Sequence, residues 1–388
     1  MRLKHILKRP ALGLLFSLGK LLKNAFNKPV DKNDIRNVLI LQTGGIGDVL
    51  RIFPVVEAIS REMPAAAITT LTEHGNELFT LYDTSGESIK HIVFDFNGGY
   101  LHKLSQIRQL RKLSFDLILS PSRGDGIMEC SIIAWLIGAP HRIGFYQGGG
   151  GFLYTCKTEF REDISILDQN IALLLHLGIK SQTTNISLAI SQRDIDYASD
   201  FIAKNSLDGS FIITIHPWAS SFPESRMWPV ESYRKLINSI IARQDCRIVL
   251  LGGKGEMDKA KALATGMGKG LFDLTGGLTI AQTAALISKS NIFIGNDSSL
   301  LHIANALMVP SICIFGSTSS KQVLSQEHNC VPVSCDISCR PCYLHQPLFR
   351  HRCDHQYRCL HLITPDIVKG ILESLLLKSG KKSGSPAE

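Results

Sequence analysis

Short continuous apolar runs alternate along the chain with longer amphipathic segments. The runs Asn37–Leu41 and Phe211–Ile215 are typical of strands that are buried on both faces of a parallel sheet. Segments such as Ile127–Ile137 and Ile280–Ser288 repeat their apolar residues at the spacing of a helix. Because strands that alternate with helices form parallel sheets with right-handed crossovers, the pattern predicts an α/β protein.

This alternation runs through the chain twice, and 388 residues are too many for one ordinary core. We therefore predict two Rossmann-like, doubly wound domains that face each other across a cleft, over residues 34–190 and 208–363, with a polar link between them. A Thr-Pro-Asp start predicts a last helix over residues 364–377, and residues 378–388 are predicted to be a disordered tail. Since ligands bind beyond the carboxyl ends of such strands, the residues after each strand are the candidates for function.

Positive charge is concentrated in an N-terminal arm, residues 1–33. The net charge is +8, and seven lysines and arginines but no acid lie in the first 30 residues. The helical repeat of apolar residues in this arm is interrupted by Lys20 and Lys23, so it is too short to span a bilayer, and no convincing signal-peptide cleavage site follows it. We expect a cytoplasmic protein with a basic amphipathic helix on the inner membrane, or else a helix packed on the first domain. Charge confined to one arm does not suggest nucleic-acid binding.

A Gly-rich turn, Gln42–Asp48, follows the first predicted strand and leads into a helix predicted over Val49–Ile59. Its glycines let a ligand approach the backbone, but they lack the G-x-G-x-x-G spacing of a dinucleotide site. A carboxylate at this point is well placed to act as a general base. The other interpretation is that Asp48 only caps its helix.

Two further motifs follow strands of the second domain. One is a strand–turn–helix segment whose first-turn N–H groups favour a bound phosphate, and the other is a loop whose arginine suits a diphosphate. A helix cap and an ordinary surface loop are the plain structural interpretations. The candidate residues are Asp297, Ser298, Ser299, Leu300 and His302 in the first motif and Arg226 in the second.

Taken in order, these motifs resemble those of glycosyltransferase family 9, the heptosyltransferases of lipopolysaccharide core assembly. The resemblance covers most of the chain, from about Asn37 to Leu377. The run Gly47–Pro54 is similar to the family's first motif, in which the aspartate is the proposed catalytic base. The resemblance therefore implies that role for Asp48.

The remaining motifs resemble the family's donor site. Arg226–Pro229 is similar to the basic-x-Trp-Pro motif, and Asn296–His302 to the Asp-Thr-Gly-x-x-His motif that cradles the donor diphosphate. Ser298 and Ser299 depart from this pattern, because they stand where Thr and Gly are usual. The loop beside the nucleotide is matched by Leu274–Leu278, which contributes Gly276 and Leu278.

The resemblance implies a GT-B fold and an inverting glycosyltransferase that needs no metal for catalysis. Its donor would be a nucleotide-diphosphate sugar, most simply ADP-heptose, and its acceptor a lipid-linked glycan such as the lipopolysaccharide core. We expect the acceptor to bind the first domain through arginines at strand or motif ends, under a mobile loop at Gly148–Gly151. The acceptor candidates are Arg51, Arg123 and Arg142.

Five cysteines cluster near the C-terminal end of the chain. Their spacings suit a structural zinc ion or an iron–sulfur cluster, although reduced thiols that pack an irregular loop are the plain interpretation. The cluster falls within residues 335–359 and consists of Cys335, Cys339, Cys342, Cys353 and Cys359.

Three alternatives stay open at the level of sequence. A family 9 enzyme with a different donor or acceptor has the same motifs, because its discriminating contacts lie in variable loops. A nucleotide-sugar epimerase or a phosphorylase shares the fold but needs acids or a cofactor lysine that the sequence does not place. A membrane-docked scaffold without activity is the third alternative, which the serine at position 299 keeps open.

Overall fold

A computed structural model shows two α/β units, each built around its own parallel sheet. The first unit runs to Ser187 and the second begins at Leu188, apart from short segments after Val323 that return to the first. The boundary lies in the polar stretch predicted to link the domains. The residues that the structure describes are 9–73, 76–82, 89–181, 186–219, 223–325, 328–343 and 353–380.

The first sheet has six parallel strands in the order β3-β2-β1-β4-β5-β6. Its central strands are almost entirely buried, as their continuous apolar runs predict. The strands are β1 (Asn37–Leu41), β2 (Ala67–Thr72), β3 (Lys90–Val93), β4 (Leu117–Ser120), β5 (His141–Tyr146) and β6 (Cys156–Glu159). The helices are α1 (Arg9–Leu21), α2 (Ile46–Leu50), α3 (Phe53–Glu62), α4 (Tyr100–Arg111), α5 (Asp125–Ile137) and α6 (Ile166–Ala172).

The second sheet repeats this arrangement, with the order β12-β11-β10-β7-β8-β9. Numbered from its own first strand, it has the same strand order as the first sheet. The strands are β7 (Phe211–His216), β8 (Cys246–Leu250), β9 (Leu271–Asp273), β10 (Ile292–Asn296), β11 (Ser311–Ile314) and β12 (Cys330–Val333). The helices are α7 (Gln192–Lys204), α8 (Pro223–Arg226), α9 (Val230–Ile241), α10 (Met257–Ala264), α11 (Ile280–Ser288), α12 (Ser299–Ala306), α13 (Ser320–Val323), α14 (Arg358–His361) and α15 (Pro365–Gly380).

The predicted class, two doubly wound Rossmann-like domains, is confirmed, with local corrections. The helix predicted over Val49–Ile59 is two helices, because Pro54 lacks an N–H and its ring excludes the preceding turn. The last helix continues to Gly380, past its predicted end at residue 377. The rest of the predicted disordered tail, residues 381–388, lies outside the described residues.

Helix α1 packs on the first unit through one face. Phe16 is buried in a cluster with Met128 and Phe152. Gly19 lies so close to Gly149 that a Cβ on Gly19 would overlap the Gly149 carbonyl oxygen. The prediction of a mobile loop at Gly148–Gly151 is therefore corrected, because this segment forms a tight bridged turn against the helix.

The opposite face of α1 is apolar and exposed. Leu14, Leu18 and Leu21 have 71%, 44% and 84% of their surface accessible. Among the helices that the structure describes, none is both long and apolar enough to cross a bilayer.

Candidate functional site

The loops that follow β1 and β4 meet at the point where the first sheet reverses its strand order. The Thr43 N–H donates a hydrogen bond to the Ser122 hydroxyl at 3.1 Å, and the two side-chain hydroxyls are also 3.1 Å apart. Such switch points are where doubly wound sheets bind their ligands. The predicted strand–turn–helix motif of Asp48 therefore lies at the ligand-binding edge of its unit.

Asp48 is held at this edge by three donors. Its Oδ2 accepts a hydrogen bond from the Gly45 N–H at 3.1 Å. Its Oδ1 accepts from Nη1 of Arg51 at 3.1 Å and also from Nη2 of Arg123. The structure thus brings together three predicted site residues that are up to 75 positions apart in sequence.

The carboxylate is the most exposed member of this group. The Asp48 side chain is 20% exposed, against 6% for Arg51 and 11% for Arg123. The two guanidinium groups that sequence analysis assigned to the acceptor are therefore engaged with Asp48 from the buried side. Their position favours holding the carboxylate over contacting a substrate.

Gly44 has a backbone conformation and a position that only glycine accommodates. Its φ is +116°, in the left-handed region, and a Cβ there would overlap Oδ2 of Asp48. A side chain at position 44 would cover this oxygen. Position 44 therefore accommodates only glycine while Asp48 keeps its place.

Arg142 lies apart from this group, and its role at the acceptor stays a prediction. It is near the start of β5, paired with Ile118 at the beginning of β4, whereas Asp48 follows strand ends. Its Nε donates to the Leu153 carbonyl at 3.0 Å and its Nη1 to the Ala139 carbonyl at 2.5 Å. Burial lowers the pKa of Arg142. The residue ties backbone segments together inside the unit.

The second unit has a matching switch point between β7 and β10. Asn296 ends β10, is fully buried, and accepts hydrogen bonds from the Trp228 N–H at 3.0 Å and the Tyr233 hydroxyl at 3.1 Å. Its amide donates to the Pro217 carbonyl at 2.8 Å. Because these bonds bind both ends of the loop around Arg226 to β10, they fix that arginine beside the next residue, Asp297.

Asp297 and Arg226 form an ion pair in which one carboxylate oxygen accepts two hydrogen bonds. Oδ2 of Asp297 accepts from Nε of Arg226 at 3.1 Å and from Nη2 at 2.5 Å. The aspartate side chain is 1% exposed and the arginine 20%. Burial alone would raise the pKa of Asp297, but the positive charges of Arg226 and then His302 outweigh it and hold the pKa below its usual value. Asp297 is therefore a buried anion that orients a more accessible cation.

Helix α12 begins directly after this pair. In any helix the first N–H groups lack intrahelical partners and carry partial positive charge, so they favour an anion. Ser298 is the N-cap, and its hydroxyl lies 2.8 Å from Nδ1 of His216. Ser299 is half-buried at the first helical position, while Leu300 and His302 are buried. Arg226, the helix start and His302 together form a positive cradle.

His216 and Glu256 lie next to this cradle, and the sequence analysis did not select His216 as a site residue. Nε2 of His216 lies 3.6 Å from Glu256, whose carboxylate also accepts from the Gly253 N–H at 2.7 Å. Burial raises the pKa of Glu256, but the nearby imidazole of His216 and the hydrogen bond from the Gly253 N–H outweigh it, so that the net shift is downward. The sequence did hold a signal for His216, because this residue ends a buried strand at the ligand-binding edge of the sheet.

The predicted nucleotide loop has one glycine that its backbone requires. Gly276 has a φ of +77°, and a Cβ there would crowd Met257. Its N–H donates to the Gly252 carbonyl at 2.9 Å, which joins two strand-end loops. Leu278 packs against Ala285 and its neighbours, so its side chain has a structural contact.

The cysteine-rich segment folds back onto the loop after β11. The N–H groups of Cys342 and Tyr343 both donate to the Ser317 carbonyl at 3.0 Å, and Nη2 of Arg340 donates to the Thr318 carbonyl at 3.3 Å. The described part of the segment therefore packs against the loop that follows β11.

The thiols of this segment are close enough to interact electrostatically. Burial raises the pKa of Cys342, and the neighbouring thiols Cys359, Cys339 and Cys353 raise it further. Among the described residues, no three cysteine, histidine or acidic side chains are arranged to hold a metal ion.

Solved structures of glycosyltransferases resemble the whole chain. The glycosyl transferase family 9 protein from Veillonella parvula matches with a TM-score of 0.72 at 19% identity, over 91% of this chain and 99% of the other. The ADP-heptose lps heptosyltransferase II of E. coli matches with a TM-score of 0.69 at 19% identity, over 89% and 99%. TibC of enterotoxigenic E. coli, an iron-containing dodecameric glycosyltransferase, matches with a TM-score of 0.58 at 15% identity, over 90% and 78%. The predicted GT-B fold of glycosyltransferases is confirmed.

Sequence comparisons define the family. The model of glycosyltransferase family 9 (heptosyltransferase) matches residues 103–351, more than half of the chain. The lipopolysaccharide core heptosyltransferase OpsX of Haemophilus influenzae is 26% identical over 290 residues, which are 72% of this chain and 79% of OpsX. The lipopolysaccharide heptosyltransferase 3 of E. coli is 24% identical over 294 residues, 70% and 81% of the two chains. The chain belongs to glycosyltransferase family 9.

Proposed function

We propose that this glycosyltransferase moves a heptose from ADP-heptose to the lipopolysaccharide core or a related lipid-linked glycan, with inversion at the anomeric carbon. The observation that carries the proposal is the pair of switch points, one with an accessible carboxylate and the other with an accessible cation beside a helix start. The names of OpsX and of the E. coli enzymes support heptose and the lipopolysaccharide core.

Asp48 is the proposed base of the reaction. An acceptor hydroxyl is a weak nucleophile until its proton is removed during the attack. As the acceptor oxygen bonds to the anomeric carbon, Asp48 takes the hydroxyl proton. The bond from that carbon to the diphosphate oxygen breaks, and its electron pair leaves with ADP. One displacement of this kind inverts the configuration.

The positive cradle is the proposed site of the donor diphosphate. Arg226 presents a fork of donors that matches phosphate oxygens, and the first turn of α12 adds backbone N–H groups around Ser298 and Ser299. Negative charge grows on the leaving diphosphate in the transition state, so these fixed donors lower the barrier. These donors stabilise the negative charge on the leaving diphosphate, and the proposed mechanism assigns no catalytic role to a metal ion.

Donor turnover by wild type and Asp48→Ala tests the proposal. A panel of nucleotide sugars that includes ADP-heptose is offered with heptose-free lipopolysaccharide core, and ADP release is followed. We expect release from ADP-heptose by wild type, and a loss of about 10²- to 10⁴-fold in kcat for Asp48→Ala with donor binding retained. Asp163→Ala, which changes an exposed carboxylate of the same unit, is the matched control.

Each rival has a distinct outcome in this experiment. Turnover of another nucleotide sugar, or transfer to another glycan, assigns the chain a different specificity within the family. Donor binding without turnover by wild type identifies an inactive scaffold. If no nucleotide sugar binds, the positive cradle is not a donor site.

Helix α1 is the proposed contact with the cytoplasmic surface of the inner membrane. Leu14, Leu18 and Leu21 form an exposed apolar stripe, and Lys20 is exposed on the same helix. Flotation with vesicles rich in anionic lipid tests this contact. We expect wild type to float and a variant with all three leucines changed to serine to stay in solution, while equal binding by both would refute it.

The cysteine-rich segment is proposed to bind a structural metal, and the resemblance in fold to the iron-containing TibC supports this proposal. Thiolates suit zinc or iron, although the arrangement of the described thiols does not by itself form a metal site. Metal analysis of the purified protein gives a direct answer. One zinc or iron per chain that is lost in Cys339→Ser supports the proposal, and a metal-free active protein excludes it.

A further inference from the structure

The two oxygens of the Asp48 carboxylate have different neighbours. Oδ1 accepts hydrogen bonds from Arg51 and Arg123, and so both of its lone pairs are directed at guanidinium groups. Oδ2 accepts from the Gly45 backbone N–H at 3.1 Å. A proton that arrives at this carboxylate therefore has a preferred oxygen.

Burial shows from which side the carboxylate is held. Arg51 and Arg123 are 6% and 11% exposed, so their guanidinium groups lie deeper than the Asp48 side chain at 20%. They reach Asp48 from two separate segments, one at the end of α2 and one after β4. A carboxylate that is fixed through one oxygen by two independent arginines cannot rotate without breaking both contacts.

Gly44 defines the approach to the second oxygen. A Cβ at position 44 would overlap Oδ2, and the φ of +116° already excludes most side chains. The backbone of the glycine turn thus passes close to Oδ2. The position of Gly44 and the arginine contacts both indicate that Oδ2 is the oxygen that receives a proton.

We propose that Arg51 and Arg123 are positioning residues that fix Asp48 through Oδ1, and that Oδ2, reached over Gly44, receives the acceptor proton. This inference rests on the proposed function and names the atom and the supporting residues of its base. The acceptor oxygen forms its bond to the anomeric carbon, its proton passes to Oδ2, and the electron pair of the broken bond leaves with ADP. The arginines act through Asp48 and do not bind the acceptor.

A double-mutant cycle between Arg123 and Asp48 tests this role. With ADP-heptose and heptose-free lipopolysaccharide core, we expect Arg123→Gln to lower kcat by about 10- to 100-fold, since misplacing a catalytic group by about 1 Å has effects of this size. The KM values for donor and acceptor should change less than about threefold. In the Asp48→Ala background, Arg123→Gln should have no further effect on kcat. Arg123→Lys should recover part of the loss.

Glycine substitutions test the approach to Oδ2 independently of the arginines. Gly44→Ala should lower kcat by about 100-fold with donor affinity unchanged. Gly99→Ala is the matched control, because its Cβ would meet no atom within 4 Å and its φ of −64° suits alanine. Thermal unfolding of all variants, together with ADP binding, separates a local effect from loss of folded protein.

Several results would overturn the inference while leaving the proposed function intact. One is an unchanged kcat with a raised acceptor KM in Arg123→Gln, which would make the arginine an acceptor ligand. Another is an equal decrease in kcat on Arg123→Gln in the wild-type and the Asp48→Ala backgrounds. Full activity of folded Gly44→Ala would exclude Oδ2 as the proton acceptor. Failure of the proposed function has a different signature, because wild type itself would then transfer no sugar.

Discussion

Each switch point carries an aspartate paired with arginine, two arginines in the first unit and one in the second, and the burial of the partners is opposite. In the first unit Asp48 is the more exposed partner, at 20%, and its arginines are 6% and 11% exposed. In the second unit Asp297 is 1% exposed and Arg226 20%. Both pairs follow strands that occupy equivalent places in sheets with the same strand order.

In the proposed mechanism the buried partner of each ion pair orients the exposed partner, and the exposed partner contacts the ligand. The first unit therefore presents a carboxylate, which suits removal of a proton. The second presents a guanidinium beside a helix start, which suits a diphosphate. Equivalent places in the two sheets thus present side chains of opposite charge. The sign of that charge depends on which partner of the ion pair the surrounding chain buries.

The largest expected effect is on catalysis at the first switch point. Asp48→Asn keeps the shape of the side chain but removes the proton acceptor, so kcat should fall by about 10²- to 10⁴-fold. Its effect on unfolding should be small next to this, since the side chain is partly exposed. Steady-state kinetics and urea unfolding of one preparation give both values. A variant that is unstable but turns over at the normal rate would contradict the assigned burial roles.

The next effect is on stability at the second switch point. Asp297→Ala leaves Arg226 without its buried partner and should lower the free energy of unfolding of the second unit by about 3 kcal/mol. Urea unfolding followed by tryptophan fluorescence measures this, because Trp218 and Trp228 are buried in that unit. The exposed Asp163→Ala control should change the value by less than about 0.5 kcal/mol. Equal stability of the two variants would mean that the pair contributes nothing.

A smaller effect is expected on donor binding. Arg226→Lys keeps the charge but loses the fork that joins Asp297 on one side and phosphate on the other, so the donor KM should rise about tenfold. The acceptor KM should stay constant. Arg243→Lys, an exposed arginine of the same unit, is the control. An unchanged donor KM would remove Arg226 from the diphosphate site.

The smallest expected effect is a pH dependence of the second unit. The pKa of Asp297 is lowered in the folded protein from its ordinary value of 3.8, so the unfolded chain binds its proton first. The stabilisation is complete above about pH 4 and is lost as the pH falls through the folded pKa. Urea unfolding at several pH values below about 5 should show a shallower slope for Asp297→Asn than for wild type. Identical slopes would assign the dependence to other carboxylates.

The sequence predicted most of the strands, including the edge strands β3 and β9, but missed β5, whose apolar run is interrupted by Arg142 and Gly144. Continuous apolar runs such as Asn37–Leu41 mark strands buried on both faces, and β1 has those bounds. The edge strands β6 and β12 were not predicted, because half-buried strands such as Cys156–Glu159 lack a continuous apolar run. A strand that is buried on only one face has no continuous run of apolar residues by which the sequence would reveal it.

Most residues of the candidate site were selected from the sequence, although His216 was not, and the contacts between them were not predicted. The motifs located Asp48 and Asp297 at strand ends, and the structure places both there. That Arg123 pairs with Asp48 depends on β1 lying next to β4, and no periodicity encodes a strand order. For the same reason, the arginines of the first unit were assigned to the acceptor from their position in sequence alone.

The close contact between Gly19 of helix α1 and Gly149 of the bridged turn limits which residues can occupy these two positions during evolution. A Cβ on either residue would overlap a backbone oxygen of the other segment, so that no change elsewhere in the side chains can make room for it. Among descendants that keep the arm, both positions should stay glycine together. The exposed leucines of the same helix are free to exchange with other apolar residues. A lineage that loses one of the two glycines should also lose the arm.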